Sequence, residues 1–192
     1  VLRIVRNLRT FSRIDQADEL SPFDLNVGIQ STVAIANYEL KDKAQVTTEL
    51  GDIPEIYCHS GQINQVILNM LVNAAQAIAS QGRQDLGTVA IRTWRQDGDV
   101  VCTITDDGPG IAAEHLSRIF DPFFTTKPVG QGTGLGLHIS YDIIVRRHGG
   151  QLLVESEPGK GATFTIRIPI DRTSVADSTK GHTHERESSA VC

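Results

Sequence analysis

The chain has 192 residues, 40% of them hydrophobic and 21% charged, which suffices for one ordinary domain with a short appendage and is too little for two full-sized ones. Its 18 Lys and Arg stand against 23 Asp and Glu, a formal charge of -5, so nothing suggests a surface built to neutralise a nucleic-acid backbone. No apolar run approaches the roughly 20 residues of a membrane span, and the opening VLRIVRNLRTFSR has no signal-peptide core.

In chain order, Val1, Val5, Leu8 and Phe11 recur at helical spacing, with Ile4 and Ile14 beside them, which predicts an amphipathic helix over residues 1–16. Ser21-Pro22-Phe23-Asp24 is a breaker, and Val27, Ile29, Val33, Ile35 and Leu40 predict a helix from Leu25 to about Lys43. Strand-like runs at 46–49 and 55–59 flank a turn at Gly51-Asp52 and Pro54. A long helix follows from Ser60 to about Ser80, with Ser60 as its expected cap.

Runs at 88–95 and 100–105 surround Gln96-Asp97-Gly98-Asp99, a hairpin signal. A helix is predicted over 133–148, stopped by Gly149-Gly150, with Arg146, Arg147 and His148 suited to the negative end of its dipole. A last strand pair, 151–156 and 162–168, surrounds Pro158-Gly159-Lys160-Gly161, and from Asp171 the composition is that of a linker or tail. Strands and helices mix without strict alternation, favouring an α+β sandwich over a doubly wound sheet. Cys58, Cys102 and Cys192 are odd in number, far apart and outside any CxxC spacing, so neither a disulfide framework nor a zinc site is expected and a reducing compartment fits.

Four segments could carry chemistry. On the helix at 60–80, Ile63, Val66, Ile67, Met70, Leu71, Ala74 and Ile78 share one face, and Gln62, Gln65, Asn69, Asn73 and Gln76 share the other. A solvated face would normally use Glu, Lys and Arg, whereas amides at i and i+4 stand about 5.4 Å apart and can offer oxygens to a hard cation such as Mg²⁺. Asp106-Asp107-Gly108-Pro109-Gly110-Ile111 follows a predicted strand; it reads equally as a turn or as a site where a carboxylate meets an exocyclic amine beside glycines that admit a flat ring.

Of 17 glycines, Gly108, Gly110, Gly130, Gly132, Gly134 and Gly136 fall between residues 108 and 136. The run Gly130-Gln131-Gly132-Thr133-Gly134-Leu135-Gly136-Leu137 opens a helix, where backbone N–H groups favour anions. It lacks the GK[ST] of a Walker loop and the spacing of a dinucleotide fingerprint, which leaves polyphosphate binding by another architecture. Between these segments, Ile119-Phe120-Asp121-Pro122-Phe123-Phe124-Thr125-Thr126-Lys127 holds three of the six Phe. They are either core or the anchors of a hinged flap that carries Lys127 towards phosphate.

QINQVILNMLVNAAQAI, DDGPGI, IFDPFFTTK, GQGTGLGL and GKGATF, in this order, resemble the N, G1, F, G2 and G3 boxes of the histidine protein kinases of two-component systems, and most of all the nitrogen-regulation-like sensor kinases. The resemblance covers roughly residues 21–170. It implies the Bergerat fold shared with gyrase, the heat-shock chaperone ATPase and mismatch-repair ATPases: a two-layer α/β sandwich whose mixed sheet is covered by helices on one face, with ATP and Mg²⁺ between helices and lid.

By the same resemblance Asn73 ligates Mg²⁺, with Asn69 one turn earlier near the phosphates. Asp106 binds the adenine amino group, aided by Gly110 and, through water, by Thr163, with Gly108 and Ile111 in the same box. Gly132, Gly134, Leu135 and Gly136 give backbone contacts to phosphate, flanked by Thr133 and Leu137. Residues 121–132 form the lid, with Lys127 as its cation and, with Asn69, its catalytic group. Asn69 stands where the related hydrolases carry a Glu that activates water, and an amide has no useful basicity, so transfer rather than hydrolysis is expected.

The six histidines, His59, His115, His138, His148, His182 and His184, all lie outside an H-[DE]-x-x-[NT]-P-like context. Residues 1–18 resemble the end of the dimerisation and phosphoacceptor hairpin, 19–170 the catalytic ATP-binding domain, and 171–192 a tail. The expectation is a cytoplasmic piece of a homodimeric kinase that binds ATP, does not phosphorylate itself, and works with its own hairpin helices and a response-regulator receiver domain. Gln76 departs from the Lys or Arg of many relatives. A Bergerat ATPase and a non-catalytic nucleotide-binding module are the alternatives, the first disfavoured by Asn69 and the second by the intact boxes.

Overall fold

A computed structural model describes residues 20–127 and 132–170. The helix predicted over 1–16, the tail from 171, and Gly130 and Gln131 lie outside these residues.

Strand β1 (Ser21–Phe23) leads into helix α1 (Leu25–Leu40). Asp24 caps α1, its Oδ1 accepting the Val27 N–H at 3.1 Å, which satisfies one of the orphan donors of the first turn. The face that α1 buries is Leu25, Ile29, Thr32, Ala36 and Leu40. Val27 and Ile35, which belong to the apolar spacing in the sequence, are exposed.

Strands β2 (Ala44–Leu50) and β3 (Ile56–Cys58) follow. They are not partners across the Gly51–Pro54 turn, as their adjacency suggests. β2 pairs in parallel with β4 (Gly87–Gln96), whereas β3 pairs with β1 in a separate two-stranded sheet. The main-chain N–H of Gly51 donates to the Thr93 carbonyl at 3.0 Å, which holds the turn against β4 instead of folding it back on β2.

Helix α2 (Ser60–Ser80) has His59 in the cap position with no side-chain cap bond, so the expected Ser60 cap is not made and Ser60 is already the first helical residue. All seven apolar positions read from its periodicity are buried. β4 and β5 (Asp99–Asp106) form the expected hairpin, turned by Asp97 at φ 53 and Gly98 at φ 86, the pair of positive φ values that suits the twist of a two-residue hairpin loop.

A short helix α3 (Ala113–Leu116) precedes α4 (Gly136–Tyr141), which continues through one wider turn of π type at Asp142–Arg147. The helix therefore begins three residues after the predicted start at Thr133. β6 (Gln151–Ser156) and β7 (Ala162–Pro169) are the last elements among the described residues.

The main sheet has the order β2-β4-β5-β7-β6, with only β2 and β4 parallel. Val89, Ile91, Cys102, Ile104, Phe164 and Ile166 are buried on one face and pack with the apolar faces of α1, α2 and α4. The alternate residues Thr103, Thr105, Thr163 and Thr165 point the other way and are half-buried, the period of two expected of a sheet covered on a single side. This is the α+β sandwich expected from the sequence. Burial pushes the Cys102 thiol up to about 12, so it is a core side chain with no reactive thiolate.

Candidate nucleotide site

The site is organised along α2. Gln62 is buried and Gln65, Asn69, Asn73 and Gln76 are half-buried, so the face opposite the core is not a solvated one. Its 21 residues include no acid or base. The Asn69 amide donates to the Gly136 carbonyl at 3.3 Å and to Ser140 Oγ at 3.4 Å, which ties the middle of α2 to the first turn of α4. One turn on, Lys127 Nζ donates to Asn73 Oδ1 at 3.3 Å and to Gln76 Oε1 at 2.5 Å. One residue further, the loop after β5 arrives: a Cβ on Gly108 would lie 3.1 Å from the Ala77 Cβ. From Asn69 to Ala77 the helix rises about 12 Å, with amides along Asn69–Gln76, Lys127 on Asn73 and Gln76, and the Asp106 loop against Ala77.

Asp106 ends β5 and is 6% exposed. Its Oδ1 accepts the Gly108 N–H at 2.9 Å. Burial pushes its carboxyl above the ordinary aspartate value, the Gly108 and Ala162 N–H groups hold it down, and neighbouring Asp107 raises it further, with a net rise. A buried carboxylate with acceptor capacity left over is suited to a neutral or partly positive N–H donor. Asp107 faces away from it. Arg83 Nη2 contacts both of its oxygens at 2.8 Å, and the Thr88 N–H donates to Oδ1 at 2.8 Å. Partial burial alone would raise the Asp107 carboxyl, but Arg83 and Thr88 together hold it below the ordinary value.

The loop 106–111 is stitched to the β6–β7 hairpin. Ile111 N–H donates to Ser156 Oγ at 2.9 Å, Ser156 Oγ donates to the Gly161 carbonyl at 2.6 Å, and Gly159 N–H donates to the Pro109 carbonyl at 2.7 Å. Gly110 has φ +74, and a Cβ there would overlap the Glu157 carbonyl. The glycine is thus required by the chain itself, whatever ring approaches. Ile111 is half-buried against the core.

On the other side, Phe123 N–H donates to the Gly134 carbonyl at 2.9 Å, and a Cβ on Gly134 would overlap the Phe123 backbone. The Thr133 hydroxyl accepts from the Leu135 N–H at 3.4 Å, and Leu137 packs on the core. Gly136 faces Asn69, 3.9 Å from its Cγ to a Cβ built there. Of the three Phe in the segment before Lys127, Phe120 stacks at a tilt on Tyr141 and Phe124 lies under the Arg118 guanidinium, 4.7 Å from ring centroid to Cζ. Phe123 is 72% exposed at φ 66. Two Phe anchor the segment and the third does not.

Thr163 is not in this group. The register pairs Asp106 with Ala162 and Thr105 with Thr163, and the Thr163 hydroxyl lies 3.0 Å from that of Thr105. Alternation along β7 turns it to the opposite face of the sheet from Asp106, so Ala162 is the residue beside the carboxylate. The Arg83–Asp107 clamp escapes a reading by motif, because the partners are 24 residues apart and Asp107 looks like a turn residue. His148 was legible only as a charge for a helix end. It is in fact buried, its Nδ1–H donating to the Ile143 carbonyl at 2.7 Å and its Nε2 accepting the His59 N–H at 3.1 Å, which joins the end of α4's helical segment to the start of α2.

The donor set fits a nucleotide and Mg²⁺ in one respect that the structure tests. Asn73 presents its oxygen, not its amide nitrogen, to a cation, and Mg²⁺ characteristically takes one or two protein oxygens and completes its shell with phosphates and water. Among the described residues no cluster of three acidic, His or Cys side chains forms a metal cage of its own, and no helix is long and apolar enough to cross a membrane.

Residues 58–172 match the sequence profile of the histidine kinase-, DNA gyrase B-, and HSP90-like ATPases. The sensor histidine kinase ZraS of Escherichia coli is 36% identical over 156 residues, 80% of this chain and 32% of that protein. The chain thus spans about a third of such a relative. Among solved structures, the catalytic domain of histidine kinase ThkA superposes with a TM-score of 0.69 at 30% identity, covering 79% of this chain and 96% of that one. Full-length ShkA in complex with AMPPNP superposes with a TM-score of 0.71 at 26% identity, covering 88% and 35%.

Proposed function

Because the chain belongs to the family of histidine kinase-, DNA gyrase B- and HSP90-like ATPases and has the fold of a histidine kinase catalytic domain, we propose that it binds Mg²⁺–ATP along α2 and passes the γ-phosphoryl group to a histidine on a separate helical hairpin. Adenine belongs at Asp106, its exocyclic amine donating to the carboxylate between Gly108 and Ala162. The phosphates belong at the Asn69–Gln76 end, with Lys127 and the backbone of Gly132, Gly134, Leu135 and Gly136 around them and the Asn73 oxygen for Mg²⁺. Mg²⁺, when bound, neutralises charge on the phosphates.

The observation that carries this reading is the order of groups on one helix: Asn69, Asn73 and Gln76 with Lys127, then Ala77 against the Asp106–Gly108 loop. Asn69, at the far end of the amides, and Ala77, where the Asp106–Gly108 loop meets the helix, lie about 12 Å apart along its axis. Asn69 decides between transfer and hydrolysis. It already donates to Gly136 and Ser140 and its amide cannot take a proton from water. In the transfer, the bond between the γ-phosphorus and the bridging oxygen breaks, a P–N bond to imidazole forms, and ADP leaves. The protein's part is positioning and charge neutralisation. The receiving histidine, dimerisation through the hairpin, and onward relay to a response-regulator aspartate belong to the larger protein.

The test has two steps. Titration of the chain with AMPPNP and Mg²⁺ should give saturable 1:1 binding. The chain mixed with a purified phosphoacceptor hairpin and γ-labelled ATP should then place acid-labile, base-stable label on the hairpin. Label released as inorganic phosphate, with none on the hairpin, would mark an ATPase instead.

A further inference from the structure

We infer that Arg83 is a positioning residue for recognition of the adenine amine: by gripping Asp107 it fixes the loop after β5, so that the neighbouring Asp106 carboxylate is held towards the amine. The inference rests on the nucleotide reading above and deepens it, since that reading gives Arg83 and Asp107 no part.

β5 runs into two successive carboxylates, of which only the first is buried in the site. Asp106 is 6% exposed, whereas the Asp107 side chain is 45% exposed. Glycines follow at 108 and 110, so an untethered loop here has a wide choice of conformations, and a second carboxylate can compete for the same N–H donors. Arg83 removes both freedoms. Its Nη2 donates to Oδ1 and Oδ2 of Asp107, both at 2.8 Å. The Thr88 N–H adds a bond to Oδ1 at 2.8 Å, and the Asp107 N–H donates in return to the Thr88 carbonyl at 3.2 Å. With Asp107 pinned to the start of β4, the Gly108 N–H closes on Asp106 Oδ1 at 2.9 Å. Ala77 of α2 abuts Gly108, and a Cβ on Gly161 would overlap the Asp106 carbonyl, so the carboxylate is held between the clamp, the helix and the β6–β7 hairpin.

Two further observations separate the clamp from an ordinary surface ion pair. Gly87 opens β4 and is buried. A Cβ there would overlap Arg83 Nη2 and stand 2.8 Å from Asp107 Oδ1, so the ion pair occupies space that any side chain at 87 would take. Arg83 Nε is buried with no hydrogen-bond partner among the described residues, a desolvation cost that offsets much of what a partly exposed ion pair returns to stability. What the arrangement secures is geometry. α2 meets Gly108 through Ala77 and ends at Ser80, and three residues later Arg83 takes hold of Asp107, so the helix that carries the amides also sets the place of the adenine carboxylate.

The test compares dissociation constants of the whole chain for ATP and for purine riboside triphosphate, which is ATP without the exocyclic amine, in the presence of Mg²⁺ and with unfolding midpoints to confirm that each variant is folded. R83M, which keeps the aliphatic stem, and D107A should each weaken ATP about fivefold or more and leave the amine-free nucleotide within about twofold. In R83M/D107A the loss should be no greater than in the worse single variant, because both substitutions break one clamp. Should R83M not fold, D107A carries the same comparison. Unchanged ATP affinity in either single variant, an equal loss of both nucleotides, or single losses that multiply in the double variant overturns the inference and leaves the nucleotide site standing. Wild-type ATP affinity in D106N overturns the adenine placement itself, and a wild-type chain that binds neither nucleotide overturns the site.

Discussion

Asp106→Asn separates the cost of a buried carboxylate from its use. Asp106 is 6% exposed, and burial raises its carboxyl above the ordinary value, with the Gly108 and Ala162 N–H groups opposing and Asp107 adding to the rise. A carboxyl whose pKa is raised on folding binds its proton more tightly in the native state. Its contribution to stability is therefore complete below the unfolded value of about 3.9 and is lost as pH climbs through the higher folded value. At neutral pH the ionised group costs the nucleotide-free domain stability, and the neutral amide removes that titration. The adenine amine, however, then loses a desolvated, charge-assisted acceptor worth about 1.5–3 kcal/mol, which is roughly a 10- to 150-fold rise in Kd. The assays are calorimetric titration with ATP at neutral pH and urea unfolding of both proteins between about pH 4 and pH 8. The wild type's stability relative to the variant should fall as pH rises. Equal ATP affinities, or a stability difference that is flat or grows with pH, would refute the reasoning.

Asp107 should behave in the opposite sense. Its carboxyl is held low by Arg83 and Thr88 against the pull of burial, so its contribution is present above the unfolded value of about 3.9 and disappears as pH falls through the lower folded one. Arg83→Ala should flatten that acid limb of the unfolding profile, and an unchanged slope would contradict the clamp. Thr163→Val should leave the ATP Kd within about twofold and cost at most about 1 kcal/mol for the lost Thr105 bond, whereas a tenfold loss of affinity would place Thr163 in the site after all. Gly161→Ala puts a Cβ onto the Asp106 carbonyl at φ +82. It should destabilise by more than about 1 kcal/mol in chemical unfolding and weaken ATP with it, and a variant as stable as wild type would mean that the hairpin does not press on Asp106.

Much of the local structure was legible because its causes are local. Seven of the buried apolar residues of α2 follow from helical periodicity, and the β4–β5 hairpin follows from Asp97-Gly98 and its two positive φ values. The amide stripe, the Asp106 loop and the glycine run stand out in the sequence alone, since each departs from what a solvated helix or an ordinary turn would use. The misreadings have the converse origin. The partners of β2 and β3 were likewise not written in the local pattern: strand pairing is decided by which faces must be buried, and β2 lies parallel to β4 while β3 pairs with β1. Val27 and Ile35 fit an apolar stripe that α1 does not bury, because the sheet and α2 meet it along Leu25, Ile29 and Leu40.

Sequence by itself determined which chemical groups this protein brings to a site: amides without charge, one carboxylate at a strand end, glycines where the backbone is crowded, and a lysine after an aromatic segment. Tertiary structure alone decided which of them meet. Register along β7 turned Thr163 to the far face and put Ala162 beside Asp106. Packing of the 121–127 segment against α2 delivered Lys127 to Gln76 across 51 residues of chain, and packing elsewhere in the fold joined Arg83 to Asp107 and His148 to His59. The physical reason is that periodicity, capping and turn chemistry act over a few residues and are written in the local pattern, whereas contacts between distant residues depend on how whole faces are buried together.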